Sequence, residues 1–87
     1  MTIAWTDSAW EDYLYWQKND KKILKRINEL LKDINRHPGT GKGKPERLKF
    51  SLAGKWSRRI NHEHRLVYQA LDDMVVVFQC RYHYAVH

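Results

Sequence analysis

Apolar residues recur at helical spacing between residues 20 and 36, and this is the clearest pattern in the chain. The members of this stripe are Ile23, Leu24, Ile27, Leu30, Leu31 and Ile34. The charged side chains of the segment fall on the opposite face, as in an amphipathic helix that buries one side. The pattern therefore predicts a helix whose Ile and Leu stripe belongs to the core, either alone or together with a dimer seam.

A shorter helix is predicted before it, from about Ser8 to Lys18. Its spacing comes from Trp10, Tyr13, Leu14 and Gln17. Thr6, Asp7 or Ser8 can cap its first turn, and Asn19-Asp20 breaks it and can cap the next helix. The short join predicts an antiparallel helical hairpin.

The second half of the chain changes to a period of two, which predicts strands. The predicted strands are "TIAW" (2–5) at the start, then "ERLKF" (46–50), "KWSRRIN" (55–61), "HRLVYQAL" (64–71) and "MVVVFQCRYHY" (74–84). A basic loop rich in Gly and Pro, residues 36–46, joins them to the helices. We therefore expect one α+β domain over residues 1–87, with an N-terminal strand and a two-helix hairpin packed on a twisted, mainly antiparallel sheet.

The alternation within the last two strands also predicts which side chains point away from the helices. The open face is expected to carry Val75, Val77, Gln79, Arg81 and His83, joined by Arg65, Val67 and Gln69 of the preceding strand. The helix-facing set is expected to be Val76, Phe78, Cys80 and Tyr82, together with Leu66, Tyr68 and Ala70. The sheet would then display a guanidinium, an imidazole and an amide on one open surface.

The charge of the chain is concentrated in one region. Its net charge is +6, yet residues 1–20 carry a net −3, while residues 42–65 carry eight Lys and Arg against two Glu. Such concentration favours a polyanionic partner, most often nucleic acid, over a basic surface that only aids solubility.

The single cysteine and the hydropathy pattern together favour a protein of a reducing, aqueous compartment. Cys80 has no internal disulfide partner, which is typical of a reducing compartment, most simply the cytoplasm. The N-terminus lacks the pattern of a signal peptide, and no apolar stretch approaches the roughly 18 residues that span a bilayer. No membrane association is expected.

Three residue types in the basic half suit the cleavage of RNA without a metal. The reaction needs a base for the ribose 2′-hydroxyl, an acid for the departing 5′-oxygen and a cation for the charge on phosphorus. Glu46, His83 and Arg65 are the candidates, although each also has an ordinary explanation as a surface or ion-paired residue. His62, His64 and Cys80 do not have the four-ligand spacing of structural zinc, so no metal or other cofactor is expected.

Six segments of the chain resemble the YoeB toxins of the RelE/ParE superfamily of bacterial toxin–antitoxin modules. They are "DYLYWQ", "RINELLKD", "GKGKPERLK", "LAGKWSRRI", "EHRLVY" and "CRYHY". The resemblance runs from about Trp5 to Tyr84. It implies a RelE-like fold and a ribosome-dependent endoribonuclease that cuts mRNA in the A site, uses no metal and blocks translation.

The resemblance also implies roles for particular residues. Glu46 matches the general base of the family, Arg65 the arginine that stabilises the transition state, His83 the general acid and Tyr84 a tyrosine that positions the substrate. The supporting, substrate-binding residues are expected to be Lys44, Lys49, Arg59, Glu63 and Arg81. Ala85-Val86-His87 follow the family pattern rather than belong to it, which leaves the exact role of Tyr84 open.

The expected partners follow from the same resemblance. They are a YefM-type antitoxin with an acidic segment, the 70S ribosome with mRNA in its A site, and a second copy in a homodimer. Operator DNA would be bound only through the antitoxin complex. Two other functions stay open: a non-enzymatic gyrase inhibitor similar to ParE, and a basic module that binds RNA or the ribosome without cutting.

Overall fold

Five strands form one sheet in the order β1-β5-β4-β3-β2, with two helices in the same chain. The computed structural model describes residues 1–84, so the tail Ala85-Val86-His87 lies outside the described residues. The elements are β1 (Thr2–Trp5), α1 (Asp7–Asn19), α2 (Lys21–Arg36), β2 (Glu46–Arg47), a 3₁₀ turn (Phe50–Leu52), β3 (Trp56–Arg59), β4 (Arg65–Ala70) and β5 (Met74–Gln79). β1 pairs with β5 in parallel and the other pairs are antiparallel. The predicted α+β class with a mainly antiparallel sheet is confirmed.

Side-chain caps set where the helices begin. The Thr6 hydroxyl accepts the Ala9 N–H at 3.1 Å, and the Asp20 carboxylate accepts the N–H groups of Lys22 and Ile23 at 3.1 and 3.2 Å. These bonds satisfy donors that have no partner within the helix. Asp20 alone joins the two helices, as the predicted hairpin requires, and Tyr13 donates to Asn28 across them at 2.8 Å.

The core lies between the helices and one face of the sheet. The stripe of α2 behaves as predicted, since Ile27, Leu30, Leu31 and Ile34 are buried and Ile23 and Leu24 pack against them. In α1 the buried positions are Ala9 and Trp16, whereas Trp10 and Leu14 are exposed. Trp16 is held inward because its indole N–H donates to the Cys80 carbonyl at 2.8 Å. This bond could not be anticipated from the spacing of the large residues in α1.

The predicted faces of β5 are wrong over Val75–Phe78. Val75 and Val77 are buried in the core, and Lys55 places its ammonium 4.7 Å from the ring of Phe78, outside the core cluster. The register explains the error, because Val67 pairs with Gln79 while the next residue, Tyr68, pairs with Val77. Phe78 is the extra residue of a β-bulge, and a bulge shifts the alternation by one position. Gln79 and Cys80 beyond the bulge therefore keep their predicted sides, and Cys80 is fully buried.

Two predicted strands are shorter than expected. Only Glu46 and Arg47 of "ERLKF" pair with β3, and Phe50, with φ +56°, opens the 3₁₀ turn. The last strand ends at Gln79, and Tyr82 adopts φ +66°, a left-handed conformation that turns the chain. Residues 80–84 are therefore not part of the sheet.

A buried arginine, Arg58 of β3, ties the basic loop to the sheet. Its side chain is fully buried and donates to Asp33 Oδ2 of α2 at 2.5 Å and to the carbonyls of His37, Thr40 and Lys42. Its Nε donates to the Tyr68 hydroxyl, which in turn donates to the Pro38 carbonyl at 2.7 Å. The guanidinium thus supplies hydrogen-bond donors to the carbonyls of a loop that has no regular secondary structure of its own.

The loop also approaches β3 so closely that a glycine is needed. Gly43 has φ +82°, and its carbonyl accepts the Arg59 N–H at 2.7 Å. A Cβ at this position would lie 2.9 Å from Leu30 Cδ2 and 3.1 Å from the Arg59 carbonyl oxygen. The conformation and the space both exclude a larger residue.

We expect Arg58→Ala to reduce the free energy of unfolding by roughly 3 kcal/mol or more, because it leaves several buried acceptors without a donor. Urea unfolding followed by tryptophan fluorescence measures this loss. Arg59→Ala, at the exposed neighbouring position, is the matched control and should change stability by no more than about 0.5 kcal/mol. Equal stability of the two variants would contradict a structural role for the Arg58 network.

The free energy of unfolding should also depend on pH through the carboxylate of Asp33. The Lys42 backbone N–H and the Arg58 guanidinium hold the pKa of Asp33 below its usual value of 3.8. A lowered folded-state pKa contributes stability above the unfolded value, and that contribution is lost as pH falls through the folded value. Asp33→Asn should therefore be less stable than wild type at pH 7, and the difference should shrink below about pH 4. A difference independent of pH from 7 to 2 would contradict this assignment.

Candidate functional site

The candidate site lies on the side of the sheet that faces away from the helices. One row of paired residues crosses four strands there, from Glu46 in β2 through Ser57 and Val67 to Gln79 in β5. Three strand spacings separate its ends, about 14 Å. A group that follows β5 must therefore turn back across the sheet to approach Glu46. The left-handed Tyr82 makes that turn, and its carbonyl accepts the N–H of Arg65 at 3.0 Å as the segment passes β4.

Tyr84 links the two predicted proton-transfer groups. It lines a shallow depression of about 200 Å³ together with Glu46, Lys49 and residues 47, 48 and 50. Its ring stacks on the imidazole of His83, with centroids 4.6 Å apart and planes inclined by 29°. Glu46 and His83 are both exposed, so both can meet a substrate that lies over the depression. The structure thus brings Glu46, Lys49, His83 and Tyr84 together.

Arg65, at the start of β4, is more enclosed than the sequence suggests. Only 9% of its surface is exposed, although its position along the strand is on the open side. Its Nη1 donates to the carbonyls of Asn61 at 2.8 Å and His64 at 3.1 Å. These bonds fix the direction of the guanidinium, and its partial exclusion from water strengthens its field on a nearby anion.

Three of the predicted supporting residues border the same surface. Arg59 is exposed and pairs with Arg65 across β3 and β4. Lys44 is exposed and follows Gly43, whose carbonyl is bound to Arg59. Glu63 is exposed in the turn before β4, with Oε1 3.5 Å from Nε2 of His64. Arg59 and Lys44 thus flank one backbone hydrogen bond between the loop and β3.

Arg81 does not lie where the extended strand would have placed it. Its guanidinium carbon is 3.5 Å from the ring centroid of Tyr15 in α1 and 4.5 Å from that of Tyr82. This arrangement is a cation–π contact with the helix, on a different side from the depression. The predicted inward position of Tyr82 is also wrong, since 56% of its surface is exposed. The turn after Gln79 causes both differences.

Sequence reasoning missed Arg58, which holds the loop that leads to Glu46. The alternation of "KWSRRIN" did place Arg58 on one face with Trp56 and Ile60, and both of these face the core. That shared face was the available signal, but the basic character of the region favoured a solvated side chain.

Cys80 is part of the core rather than of a reactive site. Its thiol is fully buried, and burial raises its pKa to about 12, with the Asp12 carboxylate as a smaller cause. Within residues 1–84, no three His, Cys, Asp or Glu side chains are grouped closely enough to hold a metal ion. Over the same residues, no helix is long and apolar enough to cross a membrane.

Fold and site together define a small basic α+β protein in which an exposed carboxylate and an exposed imidazole lie on either side of Tyr84, on a sheet face that also carries an almost buried guanidinium. The family model of YoeB-like toxins of bacterial type II toxin–antitoxin systems matches residues 5–84. Toxin YoeB of Escherichia coli K12 is 58% identical over 84 residues, which cover 97% of this chain and all of that protein. Toxin YoeB of Streptomyces coelicolor is 55% identical over the same share of each chain. The chain therefore belongs to the YoeB toxin family.

Solved structures agree with this assignment. The YoeB/ParE toxin from Agrobacterium tumefaciens superposes with a TM-score of 0.93 at 46% identity, over 97% of this chain and all of that one. The YoeB dimer from Staphylococcus aureus gives a TM-score of 0.91 at 54% identity, over 97% and 98% of the two chains. YoeB of S. aureus is also known in a heterotetrameric complex with YefM.

The folded protein should resist thiol reagents at neutral pH, because the raised pKa keeps Cys80 protonated and burial blocks access. Ellman's reagent should modify the thiol fully in 6 M guanidinium chloride and much more slowly in buffer. Rapid modification of the native protein would contradict the buried position.

Proposed function

We propose that this toxin is a ribosome-dependent mRNA endoribonuclease, which cuts mRNA in the A site without a metal and so stops translation. The observation that carries this proposal is the meeting of Glu46 and His83 around Tyr84, on the basic open face that Arg65 borders. Membership of the YoeB family supports it.

Each group has a distinct task in the proposed reaction. Glu46 takes the proton of the ribose 2′-hydroxyl, and the 2′-oxygen attacks the adjacent phosphorus. Arg65, whose direction is fixed by two carbonyls, stabilises the charge that develops on the phosphoryl oxygens. His83 protonates the departing 5′-oxygen, and the strand is left with a 2′,3′-cyclic phosphate. Tyr84 offers a ring beside His83 on which a base can stack.

The openness of the site supports dependence on the ribosome. Glu46 and His83 are both exposed, and the depression lined by Glu46 and Tyr84 has a volume of only about 200 Å³. Such a surface cannot by itself hold a flexible strand with the 2′-oxygen in line for attack, and that alignment accounts for much of the rate of such reactions. A ribosome that presents the codon in a fixed conformation would supply it.

The basic face supports the proposed partners. Its cations, among them Lys44, Lys49 and Arg59, suit both the phosphates of mRNA and the acidic segment of a YefM-like antitoxin. We propose that antitoxin binding covers this face and that the complex, rather than the toxin alone, binds operator DNA. The dimer and the YefM complex of the S. aureus relative support a homodimer and an antitoxin partner here. We propose that these interactions take place in the cytoplasm.

Primer extension on a reporter mRNA tests the proposed function directly. We expect a cut within the A-site codon on translating ribosomes, and none on naked RNA. His83→Ala and Glu46→Ala should each lower the rate by roughly 10²–10⁴-fold, because each removes one proton transfer.

The matched control for His83→Ala is His62→Ala, which removes an exposed imidazole from the loop before β4 and should leave cleavage unchanged. Cleavage at the wild-type rate by folded His83→Ala protein would refute the assignment of His83 as the general acid. The absence of any cut, combined with inhibition of DNA supercoiling, would replace the proposal with the gyrase reading. Ribosome binding without a cut would favour a binding module.

A further inference from the structure

The segment that carries His83 has no regular structure, yet several side-chain bonds hold it. Gln79, the last residue of β5, directs its amide nitrogen at three successive carbonyls: Arg81 at 2.8 Å, Tyr82 at 3.1 Å and His83 at 3.0 Å. The amide has two hydrogens, so three acceptors share them. One side chain thus closes the turn from Gln79 to His83.

His64, the residue directly before β4, holds the same turn. Its Nδ1 accepts the Tyr82 N–H at 2.7 Å, and its ring is buried against Trp16 with centroids 4.8 Å apart. An Nδ1 that accepts a hydrogen bond carries no proton, so the neutral ring has its proton on Nε2. The side chains of Asn61 and Glu63 bind elsewhere on His64. Asn61 Oδ1 accepts the backbone N–H of His64 at 2.7 Å, and Glu63 Oε1 lies 3.5 Å from Nε2.

The hydrogen bond to His64 Nδ1 comes from Tyr82, a residue with an unfavourable backbone conformation. Tyr82 has φ +66°, which is unfavourable for a non-glycine residue and must be maintained by its surroundings. Its N–H is bound to His64 and its carbonyl to both Gln79 and the Arg65 N–H. His83 is the next residue, so the direction of its imidazole depends on this conformation.

We propose that His64 and Gln79 are positioning residues that fix Tyr82 in its left-handed conformation and thereby aim His83 at the substrate. Neither side chain touches the substrate in this proposal. The expected effect on the cleavage rate rests on the proposed function, whereas the contacts of His64 and Gln79 with residues 81–83 do not depend on it. Displacement of a reacting group by about 1 Å can cost about 10²-fold in rate.

A pair of variants at His64 separates positioning from packing. Asn places its Oδ1 three bonds from Cα, as His places Nδ1, so His64→Asn retains the acceptor with a smaller side chain. His64→Leu retains the apolar bulk and removes the acceptor. We expect His64→Asn to cut within about threefold of wild type, and His64→Leu to lose roughly 10- to 100-fold. His62→Leu is the control and should match wild type.

The kinetic readout is single-turnover cleavage on programmed ribosomes at increasing toxin concentration. The maximal rate should fall in His64→Leu while the half-saturating concentration stays within about twofold, because the basic face is unchanged. Thermal unfolding of each variant shows whether stability follows the rate. If His64→Leu cuts as fast as wild type, or if the loss follows stability in both His64 variants, the positioning role is refuted.

A variant at Gln79 provides an independent test, which also applies if His64→Leu fails to fold. Gln79→Glu has the same shape but replaces the donor by a carboxylate that repels three carbonyls, and it should lose at least 10-fold in maximal rate. Gln17→Glu makes the same change on the exposed surface of α1, away from the basic face, and should match wild type. Wild-type cleavage by Gln79→Glu would overturn the proposal.

Nuclear magnetic resonance tests the contacts without reference to activity. Nitrogen shifts of His64 should show a neutral ring protonated at Nε2, and the Tyr82 amide should exchange slowly with solvent. In His64→Leu that amide should exchange at least 10-fold faster. A proton on Nδ1 would overturn the contact. A wild-type protein with these signatures that cuts no mRNA would refute the proposed function instead.

Discussion

The buried guanidinium of Arg58 is the constraint on which the rest of the structure depends. Arginine presents five donors in a rigid plane, and here they meet a carboxylate of α2, three carbonyls of the basic loop and a phenol of the sheet. Removal of a charge from water is costly, so these bonds must all form together. The helix, the loop and the sheet are consequently joined at one point, and the chain leaves that point directly toward Glu46.

Glu46 and His83, the two proposed proton-transfer groups, are held in place by the same physical principle. Glu46 follows a loop held by Arg58, and His83 follows a turn held by Gln79 of β5 and by His64, the residue before β4. In both cases irregular backbone is fixed because its carbonyls and N–H groups are bound by side chains of the sheet. Arg65 needs no such turn, since it lies on β4 itself. The sheet is therefore the scaffold, and the proposed reacting groups are attached to its β2 and β5 strands and to β4 between them.

Much of the fold could be predicted from periodicity, and the failures have identifiable causes. The stripe of α2 and the strand β1 follow from local pattern alone. The faces of β5 could not be assigned, because the bulge at Phe78 depends on pairing with β4 and leaves no mark in the sequence. The end of β5 could not be placed for a similar reason, since the strand-like alternation continues to Tyr84, while the turn is stabilised by the side chains of Gln79 and His64.

The candidate site was easier to predict than the path of the chain that builds it. Glu46, Arg65 and His83 were chosen because the chemistry requires a base, a cation and an acid, and residue type and motif carry that information directly. Their convergence relies on features that chemistry does not demand, namely one left-handed residue and one buried arginine. Because the fold is compatible with several activities, the proposed function rests on the relative position of these three groups more than on the sheet itself. Glu46 and His83 stay exposed at the two sides of the site, whereas Arg65, on a strand between β2 and β5, is almost buried and held by backbone carbonyls.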